Sequence, residues 1–124
     1  MSSQKTILII DDDQRNIFAL TAVLRAKNFP VVAAASMEEA FELLNSNAEI
    51  GIVLMDMMMP GMDGYEAIPR VKSNEQYRHL PVIAVTAQAM AGDREKALAA
   101  GADDYIPKPV DVDLLLDILK HHLN

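Results

Sequence analysis

The sequence predicts an α/β fold: a doubly wound, five-stranded parallel sheet with helices on both faces. Two observations lead there. Five short apolar runs alternate with five stretches of helical periodicity along 124 residues. The runs are continuous rather than alternating, as expected of strands covered on both sides. A repeated strand–helix order implies parallel strands joined by helical crossovers.

The elements follow in order. Thr6–Ile10 is the first strand and Gln14–Lys27 the first helix, with Asp13 placed to cap it. Val31–Ala35 is the second strand. Met37–Asn45 is the second helix, opened by a capping box of Ser36 and Glu39. Gly51–Met55 is the third strand. The third helix covers about Tyr65–Asn74 and contains Pro69, which removes a backbone hydrogen bond from a helix interior, so that helix either starts late or bends. Pro81–Thr86 is the fourth strand, and Gly92–Ala100 the fourth helix, closed by Gly101 in a left-handed conformation. Asp104–Ile106 is the fifth strand. Val112–Leu123 is the fifth helix, with Asp111 as its cap.

Composition narrows the function. A chain of 124 residues fits one domain, here residues 1–124, and can hold a sizeable core. It has no cysteine, which excludes disulfides, zinc–thiolate sites and thiol chemistry. A net charge of −7 argues against direct nucleic-acid binding, which needs clustered Lys and Arg. No basic stretch precedes an apolar N-terminal segment, and no apolar run approaches the roughly 18 residues of a membrane span. A cytoplasmic location is expected.

In open α/β sheets, ligands bind beyond the carboxyl ends of the strands. The residues at those ends here are Asp11, Asp12 and Asp13 after the first strand, Asp56 after the third, Thr86 at the end of the fourth, and Lys108-Pro109 after the fifth. Neighbouring carboxylates repel by about 4 kcal/mol per pair at 4 Å in an effective dielectric near 20, so a cation is required. The donors are all oxygen, which suits a hard divalent metal. No glycine-rich loop follows the first strand, so neither a P-loop nor a dinucleotide fingerprint is present. Carboxylates, a hydroxyl and an ammonium suit phosphoryl transfer, with Asp56 as a carboxylate nucleophile. The methionines at 55, 57, 58, 59 and 62 read as core and loop packing, and His79, His121 and His122 as exposed.

These residues resemble a known family. Asp11-Asp12, Asp56-x-x-Met59-Pro60-Gly61-Met62-Asp63-Gly64, Thr86-Ala87 and Lys108-Pro109 are similar to the motifs of two-component receiver domains. The separations match as well: 44 residues from Asp12 to Asp56, 30 to Thr86 and 22 to Lys108. Asp13-x-Arg15-Asn16 and Ala89-Met90-x-Gly92-Asp93-Arg94 resemble receivers attached to hybrid sensor kinases. The resemblance implies a flavodoxin-like (βα)5 fold with strand order 2-1-3-4-5. It implies that Asp56 accepts a phosphoryl group from a phosphohistidine on a histidine kinase or histidine phosphotransfer protein. It implies Mg²⁺, with Mn²⁺ as an alternative, bound by Asp12, by Asp11 partly through water, by Asp56 and by the backbone carbonyl of Met58. Thr86 and Lys108 would contact the phosphoryl group, Tyr105 would be the aromatic switch, and the Lys108–Pro109 bond would be cis. The fourth helix, fifth strand and fifth helix would form the output surface, toward a downstream protein that the sequence does not name. Met58 and Gln88 stand where similar proteins tune phosphoryl lifetime. A monomer is expected, with dimerisation on phosphorylation left open.

Two other functions compete. A haloacid-dehalogenase-like phosphohydrolase would use an aspartyl nucleophile, Thr, Lys and Mg²⁺, but its nucleophile follows the first strand in an Asp-x-Asp-x-Thr/Val pattern. Asp11-Asp12-Asp13-Gln14-Arg15 fails that pattern at the last position, and the chain lacks room for a substrate cap. A receiver-like binding module that is no longer phosphorylated would usually lose an acid or the lysine, and this chain keeps both. A conventional enzyme is therefore not expected.

Overall fold

The computed structural model describes residues 5–87, 90 and 92–123. Gln88 and Ala89 lie outside the described residues. The elements are β1 (Thr6–Ile10), α1 (Gln14–Ala26), β2 (Val31–Ala34), α2 (Met37–Ser46), β3 (Ile50–Asp56), α3 (Gly64–Lys72), β4 (Val82–Thr86), α4 (Asp93–Ala99), β5 (Asp104–Pro107) and α5 (Val112–Leu123). The strands form one sheet in the order β2-β1-β3-β4-β5, and every adjacent pair is parallel. This is the flavodoxin-like arrangement expected from the sequence.

Side chains alternate across the sheet, so each strand feeds two cores. Leu8, Ile10, Val53 and Met55 pack on one face against Ala40 and Leu44 of α2, Ala67, Ile68 and Val71 of α3, and Ala97 of α4. Ile7, Ile9, Ile52 and Leu54 pack on the other face against Leu20 and Leu24 of α1 and Leu115, Ile118 and Leu119 of α5. Both faces of β1 and β3 are thus apolar, which explains their continuous hydrophobic runs. Each large side chain so buried contributes roughly 1.5–3 kcal/mol.

The caps explain where the helices begin and end. The Asp13 carboxylate accepts from the Arg15 N–H and Asp111 accepts from the N–H groups of Asp113 and Leu114. Ser36 Oγ accepts from Glu39 N–H at 3.2 Å, but the Glu39 carboxylate reaches the N–H of Ala35 at 2.7 Å rather than that of Ser36. The box is displaced by one residue because Ala35 has already left the sheet. At the end of α4, Gly101 has φ +116°, its N–H donates to Leu98, and the Ala102 N–H donates to Ala97. This paired closure satisfies two terminal carbonyls and requires the left-handed conformation that glycine supplies.

Most element boundaries shift by one or two residues from the sequence reading, and three of the shifts have a plain cause. β3 extends to Asp56, because the Met57 N–H still donates to Val85 on β4. β4 starts at Val82, since Pro81 has no N–H and only its carbonyl joins the sheet, accepting from Val53. α3 begins earlier than expected, at Gly64, where Asp63 caps it by accepting from Glu66. Pro69 therefore lies in the interior of α3, and it has no N–H to offer the Tyr65 carbonyl.

Pro69 is exposed, so its ring contributes little packing. An interior proline costs about 3 kcal/mol relative to alanine, and its restriction of the unfolded chain returns only about 0.4–1 kcal/mol. Pro69→Ala should therefore stabilise the protein by about 1–3 kcal/mol, read as a higher midpoint of urea unfolding. An unchanged or lower midpoint would mean that α3 has adapted to the ring.

Candidate functional site

The parallel register brings the predicted residues to one edge of the sheet. Ile10 of β1 lies opposite Met55 of β3, so Asp11 and Asp56, the next residue on each chain, emerge side by side. Asp56 in turn pairs with Val85 of β4, one residue before Thr86, and Thr86 pairs with Pro107 of β5, one residue before Lys108. Four consecutive strand neighbours thus deliver acid, acid, hydroxyl and ammonium.

Asp11, Asp12 and Asp56 each offer a carboxylate oxygen, and these oxygens lie within 4.8 Å of one another. Asp11 and Asp56 are buried, at 2 % and 6 % exposure, whereas Asp12 faces solvent. Lys108 reaches into this cluster from the far side. Its Nζ lies 3.2 Å from Asp11 Oδ2 and 3.5 Å from Asp56 Oδ2. The main chain fixes its base, because the Lys108 N–H donates to the Thr86 carbonyl at 2.8 Å. The Lys108–Pro109 peptide is cis.

Each buried carboxylate has further partners. Asp11 accepts from the Asp13 N–H at 2.8 Å and from the side-chain amide of Asn16. Asp56 Oδ1 accepts from the Met58 N–H at 3.0 Å, which ties the turn after β3 to the acid that ends the strand. In the sequence, Asn16 stands out only within Asp13-x-Arg15-Asn16. Its place on the first turn of α1, five residues after Asp11, is what turns its amide toward that carboxylate. Gly64 is a second residue whose role the sequence concealed. A Cβ there would stand 3.0 Å from the Met57 backbone and closer still to its sulfur, so a bare α-carbon lets α3 start directly against the Asp56 turn.

The charge balance at the site is uneven. Burial pushes the Asp56 carboxyl above its ordinary value, and the nearby Asp11 adds to that, while the Met58 N–H and Lys108 oppose it. Burial disfavours the Lys108 charge, but Asp11 and Asp56 outweigh burial and hold the ammonium above its usual range. Lys108 thus remains charged between two acids. A divalent cation on this all-oxygen donor set would relieve the excess negative charge.

The other predicted residues fall into place around this centre. Thr86 is 1 % exposed at the end of β4. Tyr105 is half-buried on β5, on the sheet face that carries α4. Its phenol is pushed up by burial and by the neighbouring Asp93 and Tyr65. Lys96 of α4 stands 4.5 Å over the Tyr65 ring, bracing α4 against α3 beside it. Met55, Met57 and Met59 are buried as packing residues, but Met58 is 48 % exposed at the rim of the site. His122 is not exposed as expected; its side chain is 16 % accessible and sits 3.2 Å from Asp104, because the last turn of α5 folds over the start of β5.

With this geometry established, comparison with known proteins gives consistent matches. The response regulator receiver domain family matches residues 7–120. The chain is 33 % identical over 119 residues to the polar-differentiation response regulator DivK of Brucella ovis, covering 96 % of each chain. It superposes on a protein described as a response regulator from Chloroflexus aurantiacus with a TM-score of 0.90 at 34 % identity, covering 97 % of this chain and 98 % of that one. It also superposes on the receiver domain of the sensor histidine kinase PA1611 from Pseudomonas aeruginosa, with a TM-score of 0.87 at 33 % identity and the same coverage. That structure holds a magnesium ion in its active-site cleft.

Asp56→Asn keeps the side-chain shape and removes its charge. Because the folded protein holds a proton on Asp56 more tightly than the unfolded chain does, the stability Asp56 contributes is full below the unfolded value near pH 3.9. That contribution is lost as pH rises through the folded value. Without divalent metal, the variant should therefore be more stable than the parent at pH 7, with the gap closing toward pH 4. Thermal unfolding in a chelating buffer measures this. A less stable variant at pH 7 would show that the attraction to Lys108 outweighs burial and Asp11.

Proposed function

The chain belongs to the response regulator receiver domain family of two-component signalling, and from that premise we propose that Asp56 is its phosphoacceptor. The supporting observation is the buried cluster of Asp11, Asp12 and Asp56 with Lys108 bridging Asp11 and Asp56. The donor is a phosphohistidine on a histidine kinase or a histidine phosphotransfer protein. A carboxylate oxygen of Asp56 attacks phosphorus, the O–P bond forms, and the N–P bond breaks with its electron pair leaving on the histidine nitrogen. The residues needed are those that orient the carboxylate and absorb charge, since phosphoryl transfer asks little else of a protein.

Each residue has a definite task. The Met58 N–H holds one Asp56 oxygen and so presents the other toward the pocket. Lys108 supplies a compact positive charge to a phosphoryl oxygen while staying anchored by Asp11. The Thr86 hydroxyl donates to a second phosphoryl oxygen. Magnesium, held by Asp11, Asp12, Asp56 and the Met58 carbonyl, would supply the remaining positive charge; manganese shares its preference for oxygen ligands. The Asn16 amide keeps Asp11 turned toward the site.

The signal leaves through Thr86 and Tyr105. A phosphoryl group shifts a conformational equilibrium only through contacts that differ between the two states. Movement of Thr86 toward the phosphoryl group is such a contact, and Tyr105 follows into the space it leaves. The surface formed by α4, β5 and α5 then changes for a downstream protein partner. Residues 1–124 act as a single receiver domain in the cytoplasm, without direct nucleic-acid contact. Its chemistry is self-catalysed phosphorylation and dephosphorylation rather than conventional turnover of a small substrate. Among the described residues, no helix is long and apolar enough to cross a membrane.

Incubation with acetyl phosphate and Mg²⁺ should add one phosphoryl mass, seen by intact-protein mass spectrometry. Asp56→Asn and chelation of the metal should each abolish it. Labelling that persists in the variant would remove Asp56 from its assigned role.

Thr86→Ala should still accept the phosphoryl group but should no longer pass the change to β5 and α5. Amide chemical shifts of those elements, compared before and after phosphorylation, report this. Shifts as large in the variant as in the parent would exclude the Thr86–Tyr105 route.

A further inference from the structure

Asn16 occupies the third position of α1, after Gln14 and Arg15. A side chain at that position commonly reaches back to the N–H of the capping residue. Here the capping residue is Asp13, and its N–H already donates to Asp11 Oδ1 at 2.8 Å. The Asn16 side chain is thereby released from the helix end, and it donates to Asp11 Oδ2. An ionised carboxylate only accepts, so the amide nitrogen is the atom that must face it. Arg15, the neighbouring cation on α1, turns instead to Asp13. The start of α1 thus secures Asp11 on both oxygens with neutral donors and adds no charge to the pocket.

Lys108 meets the same oxygen from a distant part of the chain. Its Nζ is 3.2 Å from Asp11 Oδ2 and 3.5 Å from Asp56 Oδ2. Ammonium–carboxylate hydrogen bonds at full strength are about 2.7–2.9 Å long. Lys108 therefore stands between the two acids without closing on either. Asp11 cannot turn to shorten the contact, because the Asp13 N–H and the Asn16 amide hold it from the α1 side. An ammonium locked onto Asp11 could not follow a phosphoryl oxygen at Asp56, whereas one left midway can.

We infer that Asn16 is a positioning residue for phosphoryl transfer. By holding Asp11 Oδ2 from α1, its amide keeps Lys108 from closing on Asp11 and leaves the ammonium available to the phosphoryl group on Asp56. Asn16 acts through Asp11 and Lys108 rather than on the phosphoryl group itself. The inference rests on the assignment of Asp56 as phosphoacceptor. With leucine in place of Asn16, Oδ2 keeps only Lys108 of these two donors. Asp11 then pivots about its Asp13 contact and draws the ammonium away from Asp56. Oδ1 keeps the Asp13 N–H, and Asp12 and Asp56 keep their places, so the magnesium site loses little.

Two measurements separate this from a merely structural role. The rate of Asp56 labelling by acetyl phosphate is followed by intact-protein mass spectrometry at saturating Mg²⁺. The half-saturating Mg²⁺ concentration is read from amide chemical shifts without any phosphodonor. Asn16→Leu should slow labelling at least roughly tenfold, the scale expected when a transfer group is misplaced. Its half-saturating Mg²⁺ should stay within about threefold of the parent's, short of the roughly 10–100-fold cost of losing a partner that orients a metal ligand. Asn16→Ala, which removes the amide without filling its place, should behave in the same way. Asn16→Gln carries the amide at a helix position that favours Gln, and should label close to the parent's rate. Circular dichroism checks that each variant is folded. Parent-like labelling in the leucine and alanine variants would overturn the inference, as would a glutamine variant as slow as they are. Loss of Mg²⁺ binding in step with the rate would overturn it too, by reducing Asn16 to a support of the metal site. A parent that is not labelled at Asp56 would instead overturn the phosphoacceptor assignment beneath it.

Discussion

The structure is organised around the cost of placing two buried carboxylates side by side. Parallel neighbours β1 and β3 end at the same edge of the sheet, so Asp11 and Asp56 cannot avoid each other. Lys108 is the protein's own answer, with its ammonium 3.2 Å from one acid and 3.5 Å from the other. One positive charge between two buried negative ones still leaves an excess, and solvent-facing Asp12 adds to it. Removing Lys108 from such a buried arrangement would leave both acids uncompensated, which costs several kcal/mol. The surroundings follow from that demand: the Asn16 amide and the Asp13 N–H on Asp11, the Met58 N–H on Asp56, and a main-chain bond from Lys108 to Thr86 that prevents the lysine from drifting.

The same geometry leaves the charge of the site unbalanced. A structural ion pair would be matched in charge, whereas this one is short of positive charge by design of its sheet edge. Any group that brings cationic charge lowers the energy of the pocket. Thr86 belongs to the strand next to β5, where Tyr105 lies one residue from the fully buried Ile106. A change at the pocket is thus two strands from the outer face of the molecule. The Lys96–Tyr65 contact holds α4 to α3 beside Tyr105.

Much of this was legible in the sequence, for a physical reason. Strands buried on both faces must be apolar throughout, so the point where Ile10 gives way to Asp11, or Met55 to Asp56, marks both a strand end and a site. Pro81 and Asp56 shifted boundaries by single residues because strand limits depend on which N–H and carbonyl groups find partners across the sheet. Interactions between distant parts of the chain were less accessible. Lys108 and Asp11 are 97 residues apart, and no local pattern states that they meet. Glu39 capping Ala35, the clearance Gly64 gives to Met57, and the cover that α5 provides for His122 are all set by how elements pack. Pro69 is the clearest case of tertiary context overriding propensity. Ala67, Ile68 and Val71 bury one face of α3 completely, and the proline projects from the opposite face to solvent.

The two faces of the sheet divide the work of the domain. Tyr105 packs with the cluster that includes α2, α3 and α4, while Leu116 packs with the cluster that joins α1 to α5. α5 starts just after Lys108-Pro109, so its position is tied to the pocket edge of the sheet. Leu115, Ile118 and Leu119 pack in one cluster with Ile106 of β5, so α5 is fixed to the strand that carries Tyr105 and leads into Lys108.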